Sequence, residues 1–351
     1  MSLVEKFLRL LTYDIGIDLG TANTMVYLYG NGIVLSEPSV VAIDKKTMQP
    51  LAVGHEARQM IGRTPANVTA IRPLKDGIIS DFDTTQAMIH YFISKVHKQF
   101  GQGFKIPRPR VIVGVPSTVT EVERQAVIDA TKTAGARSVF IVEEAMAAAI
   151  GAGLPVEQAS GSMIVDIGGG TSDIAVLSLG DIVVDKTIKI AGDEMDQNII
   201  DYVRNKYKMI IGTRSAEDVK IAIGSAAPLK EEKSVVLNGR DLITGLPKSI
   251  EFSSVEVRDA ILQSISQITE AVKEAIEETP PELVSDILIS GIYLAGGGAL
   301  IRGLDRLWEK ELNVPIHIVE DPLSTVARGT AAMLDHIDLL ERIQQNWTQM
   351  L

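Results

Sequence analysis

The chain has 351 residues, of which 46% are hydrophobic and 23% are charged, and 34 basic against 45 acidic residues give a formal net charge of −11. This apolar content excludes a mainly disordered chain, and the acidic balance argues against a nucleic-acid partner, because phosphate contacts need clustered Lys and Arg. The absence of cysteine excludes disulfides and thiolate metal sites, and the length predicts two lobes rather than one.

The first half of the chain predicts a hairpin followed by alternating strands and helices. Residues 14–24 combine a buried β-branched strand, an Asp and a turn rich in Gly and hydroxyls, and a second strand follows at 25–29. Further along, we expect strands at 40–43, 110–115 and 139–142, and helices near 84–100, near 119–134 and from 143.

The second half repeats this design at 165–173, where a strand, an Asp and a Gly-rich turn lead into a strand at 174–179. Asp18 and Asp166 lie 148 positions apart, which predicts two related halves rather than a short-period solenoid. The later elements expected are strands at 182–190, 292–295 and 316–319, a β-rich stretch through 252, and helices near 194–209, at 216–223, at 254–278, up to 312 and from 324. This alternation predicts α/β architecture.

Two short segments, 151–155 and 322–325, carry Gly or Pro where the chain could cross between the lobes. Ordinary loop punctuation explains these residues equally well.

The two glycine-rich turns are candidate phosphate sites. Backbone N–H groups and hydroxyls on such a tip can donate to phosphate oxygens, and a Cβ would block the approach. Two turns favour a polyphosphate held from both sides, with Mg²⁺ bound through water by Asp18 and Asp166. Turn capping is the alternative role for each Asp. The turn residues concerned are Gly20, Thr21, Ala22, Asn23, Gly168, Gly169 and Gly170.

These turns resemble the two phosphate motifs of the actin, sugar-kinase and heat-shock-chaperone ATPase superfamily. Within it, the sequence is most similar to the MreB family of bacterial actin-like, rod-shape-determining proteins. The likeness covers nearly the whole chain, including segments 32–41, 70–77, 192–196 and 279–286. It implies an actin-like two-lobed ATPase fold, in which duplicated sheet-plus-helix domains with smaller inserted subdomains surround a central nucleotide cleft.

The resemblance also implies the limits of the domains. The first large lobe is expected at 1–41, 75–154 and 324–351, with a small insert at 42–74. The second large lobe is expected at 155–190 and 255–323, with a small insert at 191–254.

The residues expected to act on ATP follow from the same resemblance. Glu144 matches an acidic residue that orients the attacking water, and the proline that usually follows is Ala145 here. A first-turn acid favoured by the helix dipole is the alternative for Glu144. Thr171 and Ser172 could hold the same water, with capping as their alternative, and Asp166 completes the expected catalytic set.

The adenosine end of the nucleotide is assigned to two further segments. Residues 216–220 resemble the family's nucleotide-binding helix, where a Glu and a Lys one turn apart face the ribose and adenine. Glu217 and Lys220 share a helix face, and a surface ion pair is the alternative. The family usually has Arg at the position of Asp218. The expected contacts are Glu217, Asp218, Val219, Lys220, Gly297, Gly298, Ala299 and Leu300.

The N-terminus predicts a membrane contact without a membrane span. No window offers about 20 uninterrupted apolar residues, and no signal-peptide cleavage site follows the first residues. On a helix, apolar residues of this segment share one arc, which suits a membrane interface, whereas packing on the protein's own core is the alternative. Phe104 and Ile106 are a second candidate contact, or a buried loop anchor. The helix residues concerned are Leu3, Phe7, Leu10 and Leu11.

The family likeness implies a protein that binds ATP with Mg²⁺, hydrolyses it slowly and polymerises with itself. Such filaments would lie on the inner face of the cytoplasmic membrane and organise the cell-wall elongation machinery and rod shape. A sugar or small-metabolite kinase is the first alternative and would need a substrate pocket with an aspartate base. A chaperone ATPase is the second, and would need a peptide-binding domain.

Overall fold

The structure, a computed structural model, describes residues 12–100 and 108–334. The predicted membrane residues Leu3, Phe7, Leu10 and Leu11 and the loop residues Phe104 and Ile106 lie outside this part of the chain. The chain forms two units, one made of Met1–Pro155 with Ser324–Leu351 and the other of Val156–Leu323.

The first unit is built around a five-stranded sheet with the order β10-β9-β1-β2-β3. Strands β1, β9 and β10 are parallel, and β1, β2 and β3 are antiparallel neighbours. In chain order the elements are β1 (Asp14–Leu19), β2 (Asn23–Leu28), β3 (Gly32–Pro38), β4 (Val41–Asp44), β5 (Pro50–Val53), α1 (His55–Met60), β6 (Val68–Ile71), β7 (Leu74–Lys75), β8 (Ile78–Ile79), α2 (Phe82–Phe100), β9 (Arg110–Val115), α3 (Glu121–Thr133), β10 (Ser138–Glu143) and α4 (Glu144–Gly151).

Parallel strands covered on both faces are apolar on both faces, and all six residues of β9 are buried. Ile15 and Val113 from this sheet belong to one core cluster with Met88 and Phe92 of α2. Because β1, β9 and β10 run in the same direction, their carboxyl ends meet at one edge of the sheet. That edge carries Asp18 and is where α4 begins.

A smaller sheet with the order β5-β4-β6 lies beside α1 and has its own apolar cluster. The cluster contains Val40, Ala42, Ala52 and Ala57, which are small residues that allow the short helix to approach the strands closely.

The second unit repeats the layout of the first, because its main sheet has the order β13-β12-β11-β17-β18 with β11, β17 and β18 parallel. A three-stranded sheet, β14-β15-β16, accompanies it. The elements are β11 (Ser162–Ile167), β12 (Ser172–Ser178), β13 (Asp181–Ile188), α5 (Gly192–Tyr207), β14 (Met209–Ile210), α6 (Thr213–Ile223), β15 (Ser234–Asp241), β16 (Pro247–Ser253), α7 (Ser254–Glu278), α8 (Pro281–Ser290), β17 (Ile292–Ala295), a 3₁₀ turn (Gly297–Leu300), α9 (Leu304–Leu312) and β18 (Ile316–Ile318). Each unit is thus a hairpin joined to parallel strands, and the predicted duplication and α/β architecture are confirmed.

Two predicted helices differ from the structure, and helix α8 is present without having been predicted. The helix expected near 194–209 ends at Tyr207, since Lys208 takes the left-handed conformation and Met209 enters β14. The helix expected up to 312 starts only at Leu304, because the glycines 296–298 after β17 lead into a 3₁₀ turn. Proline usually ends a helix, but Pro281 occupies the first turn of α8, where proline is well tolerated.

None of the helices in 12–100 and 108–334 combines the length and the apolar content that crossing a membrane requires.

The last described helix, α10 (Thr325–Met333), returns to the first unit and packs against α4 and β1. Glycines make this close approach possible. A Cβ at Gly329 would overlap the carbonyl oxygen of Ala147, and a Cβ at Gly151 would overlap that of Thr325.

Substituting Gly329 by Ala should therefore lower the free energy of unfolding by about 1 to 3 kcal/mol, because the backbones of α4 and α10 must separate. Urea unfolding followed by circular dichroism measures the change. Gly212→Ala is the matched control, since Gly212 has a negative φ and no atom within 4 Å of an added Cβ. An equal effect of both substitutions would contradict the close packing of α4 on α10.

Candidate functional site

The first glycine-rich turn joins β1 to β2 and is held in place through its carbonyl groups. Ser39 donates from Oγ to the carbonyl of Gly20 at 2.6 Å and from its N–H to the carbonyl of Ala22 at 3.0 Å. The buried Thr21 hydroxyl accepts from the N–H of Gly77 at 3.1 Å. Within the described residues, the N–H groups of Thr21 and Ala22 donate to no hydrogen bond. An ordered turn with unused donors is suited to an anion.

Glu144 lies at the same sheet edge as Asp18. Asp18 pairs with Gly114 in the parallel register of β1 and β9, and a Cβ added to Gly114 would lie 3.4 Å from Cγ of Glu144. The side chain of Glu144 therefore passes over the residue next to Asp18. Helix α4 starts at Glu144 although Ala145 replaces the expected proline, and Ala145 is buried.

The Asp18 carboxyl group is partly buried and makes no hydrogen bond or ion pair to the described residues. Desolvation raises its pKa from 3.8 to about 7. A nearby cation would reverse this shift, because it would stabilise the carboxylate form.

The second glycine-rich turn joins β11 to β12 and is tied to the start of α5. The N–H of Gly168 donates to the carbonyl of Thr171 at 2.9 Å. The carbonyls of Gly168 and Gly169 accept from the N–H groups of Gly192 and Asp193 at 3.2 and 2.7 Å. In the part of the chain described, the N–H groups of Gly169 and Gly170 donate to no hydrogen bond. As in the first turn, the carbonyl groups are used in hydrogen bonds within the unit, while two N–H groups are left to donate to an anion.

Asp166 is the next-to-last residue of β11 and lies beside Gly296, the first glycine after β17. Its carboxyl group is buried, and a Cβ at Gly296 would overlap it. Gly296 also has a φ of +75°, so both the space and the backbone conformation require glycine. The backbone after β17 therefore lies directly against the end of β11.

Thr171 is held by a buried acid, Asp173. Desolvation raises the pKa of Asp173 to about 6, and hydrogen bonds from Thr187, at 2.6 Å, and from Thr171 oppose this shift. Because the Thr171 hydroxyl donates to Asp173, its oxygen remains an acceptor. Ser172 is fully buried and donates to the carbonyl of Ile190 at 2.7 Å, so its hydroxyl serves the hairpin.

The residues predicted to contact adenosine are distributed over two elements. On α6, Glu217 is half-buried, Asp218 is exposed and 3.8 Å from Arg214, and Val219 belongs to the core. Lys220 contacts the start of α5.

In the 3₁₀ turn, Gly298 and Ala299 are buried and Gly297 and Leu300 are exposed. A Cβ at Gly298 would overlap the side chain of Ile167 in β11, so this segment also needs glycine for packing. It leads from β17, the parallel neighbour of β11.

Gly192 and Asp196 support the second turn and were not singled out as site residues from the sequence, and the glycine triplet 296–298 was assigned only to the adenosine. Asp196 is buried, and Gly192 and Gly296 fit where a Cβ would crowd or overlap neighbouring atoms. Gly192 and Asp196 could have been found from the segment 192–196, which already suggested the family.

Oxygen donors at these turns fit Mg²⁺, which binds carboxylates and keeps several waters. Asp18 fits best, because its carboxyl group lacks a hydrogen bond within the described residues and has a raised pKa. No group of three or more His, Cys, Asp or Glu that could hold a metal ion occurs within residues 12–100 and 108–334.

Solved structures identify the class of protein. The fold matches MreB5 of Spiroplasma citri bound to ADP with a TM-score of 0.88 and 40% sequence identity, over 95% of this chain and 98% of that chain. The same protein bound to AMPPNP matches equally well. A MamK double helical filament matches with a TM-score of 0.78 at 21% identity, over 92% of this chain and 99% of that chain. The fold is therefore actin-like, as the sequence predicted.

The sequence comparisons then give the family. A family model described as MreB/Mbl protein matches residues 12–342. The cell shape-determining protein Mbl of Bacillus cereus is 50% identical over 330 residues, which are 94% of this chain and 98% of the relative. The chain belongs to the MreB/Mbl family, and the resemblance inferred from the two turns is confirmed.

Proposed function

We propose that this protein binds ATP with Mg²⁺ at its two glycine-rich turns, hydrolyses it slowly and assembles with copies of itself into filaments that determine cell shape. The observation that carries the proposal is the shared construction of the turns. In each turn, carbonyl groups accept hydrogen bonds from elsewhere in the same unit, and two N–H groups donate to no hydrogen bond within the described residues. In each, an Asp is the next-to-last residue of the preceding strand. The related MreB5 of Spiroplasma citri, bound to ADP and AMPPNP, supports nucleotide binding.

The N–H groups of Thr21, Ala22, Gly169 and Gly170 supply the phosphate contacts in this proposal. Asp18 and Asp166 hold the cation through water, and the cation neutralises charge on the phosphate oxygens. Gly297–Leu300 and Glu217–Lys220 of α6 are assigned to the adenosine.

Glu144 orients the attacking water by accepting a hydrogen bond from it, and the free lone pair of Thr171 accepts a second one. The place of Glu144 supports this role, since its side chain passes over Gly114 beside Asp18. The support for Thr171 is its hydrogen bond to Asp173, which fixes the hydroxyl.

Replacing Glu144 by Gln should slow ATP hydrolysis by about 100-fold or more while ATP still binds, because the amide is a far weaker base than the carboxylate. Phosphate release measures turnover, and displacement of a fluorescent ATP analogue measures binding. Glu143→Gln is the matched control, because Glu143 precedes the first turn of α4. Wild-type turnover in the Glu144→Gln variant would reject the role proposed for this carboxylate.

Self-assembly into filaments is supported by the actin-like fold and by the filament that MamK, a protein of the same fold, forms. A role in cell shape is supported by the name of the Bacillus cereus relative. None of the matches reported above is with a sugar or small-metabolite kinase, and no observation favours that alternative.

Membrane binding is proposed from the sequence of residues 1–11, with cell-wall elongation proteins as partners at the inner face of the membrane. Sedimentation with anionic lipid vesicles tests both filament and membrane proposals. The wild type should pellet with ATP and, when vesicles are floated, rise with them, whereas deletion of residues 1–11 should abolish flotation. If pelleting changed neither with ATP, nor with vesicles, nor with the deletion of residues 1–11, both the filament proposal and the membrane proposal would be rejected.

A further inference from the structure

Lys220 of α6 is bound to the first turns of α5. Its Nζ donates to the carbonyl of Gly192 at 2.6 Å and forms an ion pair with Oδ1 of Asp196 at 2.8 Å. The side chains of Lys220 and Asp196 are only 13% and 8% exposed. Two of the three N–H donors of the ammonium are thus directed at α5.

The carbonyl that Lys220 contacts belongs to the peptide group between Gly192 and Asp193. The N–H of that same peptide group donates to the carbonyl of Gly169 at 2.7 Å. A peptide group is planar and rigid, so fixing its oxygen also fixes its N–H. A chain of two hydrogen bonds therefore runs from the ammonium of Lys220 to the second glycine-rich turn.

The surroundings leave this peptide group little freedom. A Cβ on Gly192 would lie 3.3 Å from Nζ of Lys220 and 3.3 Å from the carbonyl oxygen of Gly168. Burial raises the pKa of Asp196 to about 6, and the charge of Lys220 opposes this shift. The carboxylate and the ammonium therefore depend on each other to stay charged in a buried place.

We propose that Lys220 is a positioning residue for the phosphates: through the 192–193 peptide group and with Asp196 as its anchor, it fixes the turn Gly168–Thr171. This inference rests on the proposed function and deepens it, because it moves Lys220 from the adenosine contacts to the support of the phosphate turn. The N–H donors of Gly169 and Gly170 then bind phosphate only while the carbonyl of Gly169 is held.

The test compares ligands with and without phosphates. Lys220→Met should weaken the binding of Mg-ATP about tenfold or more, the range expected for a charge-assisted hydrogen bond, while adenosine binds within about twofold of wild type. Displacement of a fluorescent ATP analogue measures both ligands. An equal loss for Mg-ATP and adenosine would mean that Lys220 contacts the nucleoside directly, and would overturn the inference.

Lys248→Met is the matched control, because Lys248 has the same pair of contacts away from the turns. Its Nζ donates to the carbonyl of Tyr207 at 2.7 Å and to Asp241 at 2.9 Å. It should leave the binding of both ligands unchanged. If Lys248→Met reproduced the selective loss of Mg-ATP, the loss would not depend on the contacts of Lys220 with α5, and the inference would fail.

Asp196→Asn gives a second, milder variant that keeps the volume of the side chain and touches no proposed ligand contact. It should weaken Mg-ATP selectively, by less than Lys220→Met does. Unchanged Mg-ATP binding in this variant would overturn the role of the anchor. A wild-type protein that binds no Mg-ATP would instead overturn the proposed function itself.

Discussion

Replacing Asp14 by Ala is expected to lower the free energy of unfolding by about 3 to 5 kcal/mol, the usual effect of leaving a buried charge without its partner. Asp14 opens β1, and its carboxylate accepts from Nε and Nη2 of Arg110 at 2.9 and 2.6 Å. Both side chains are almost fully buried. A second arginine, Arg137, lies 3.9 Å from the same carboxylate.

The reason for the large effect is that two cations face one carboxylate inside the first unit. Water cannot easily reach this buried place to replace the Asp14 carboxylate. The guanidinium of Arg110 therefore stays desolvated but no longer has the ion pair that offset the cost of its burial. The pair joins neighbouring parallel strands, since Asp14 and Arg110 are register partners in β1 and β9. It lies at the amino ends of these strands, opposite the edge that carries Asp18.

The double variant Asp14→Leu with Arg110→Met is the control, because apolar residues of similar volume can replace a buried ion pair at little cost. It should recover most of the lost stability. Urea unfolding measures all three proteins, and ATP turnover per folded molecule should stay near wild type. A double variant as unstable as Asp14→Ala would show that the cost comes from lost packing and not from the unpaired charge.

The elements that the sequence predicted well are those with local signals. Helix α7 spans Ser254–Glu278 as expected, and the structure shows why: Ser253 and Glu256 form a capping box at its start and Pro280 follows its end. The two hairpins were equally visible, because a β-branched strand, an Asp and a glycine-rich turn are consecutive in the chain.

The support of the candidate site could not be predicted, because its contacts join distant residues. Ser39 holds Gly20 from 19 positions away, and Gly77 holds Thr21 from 56 positions away. The ion pair of Asp14 with Arg110, at the other edge of the same sheet, likewise spans 96 positions. Hydrogen bonds of this kind leave no periodic pattern, so the turns were found while the residues that order them were not.

Lys220 illustrates the same limit at closer range. The family likeness implied that Lys220 and Glu217 face the ribose and adenine, and helical spacing places both on one face of α6. The packing of α6 on α5 adds contacts of the Lys220 ammonium with Gly192 and Asp196, which the sequence did not indicate. Which neighbouring element a helix face meets is decided by tertiary packing, and a single sequence does not carry that information.

Asp18→Asn is expected to make the nucleotide-free, metal-free protein more stable above neutral pH while removing most of its response to Mg-ATP. The folded pKa of Asp18 is about 7, against 3.8 for an ordinary Asp. Between these values the unfolded chain has lost a proton that the folded chain keeps, so wild-type stability falls as pH rises from about 4 to about 7. Asn does not ionise and lacks this penalty.

The two proteins should therefore be equally stable near pH 4, and Asp18→Asn should exceed wild type by about 2 to 4 kcal/mol at pH 8, from about 1.4 kcal/mol for each pKa unit. Urea unfolding in EDTA across this pH range measures the difference. Asp259→Asn, at an exposed position on α7, is the control and should change stability by less than about 0.5 kcal/mol at any pH.

Mg-ATP offsets most of this difference in stability if Asp18 holds the cation. At about 100 times the dissociation constant, a ligand that binds only the folded state adds about 2.7 kcal/mol, and wild type should gain this while Asp18→Asn gains far less. A variant that is no more stable than wild type at pH 8 would refute the burial penalty. Equal stabilisation of both proteins by Mg-ATP would refute the assignment of Asp18 to the cation. In the proposal, the same Asp18 carboxylate lowers the stability of the empty protein through its burial and binds the cation when Mg-ATP is present.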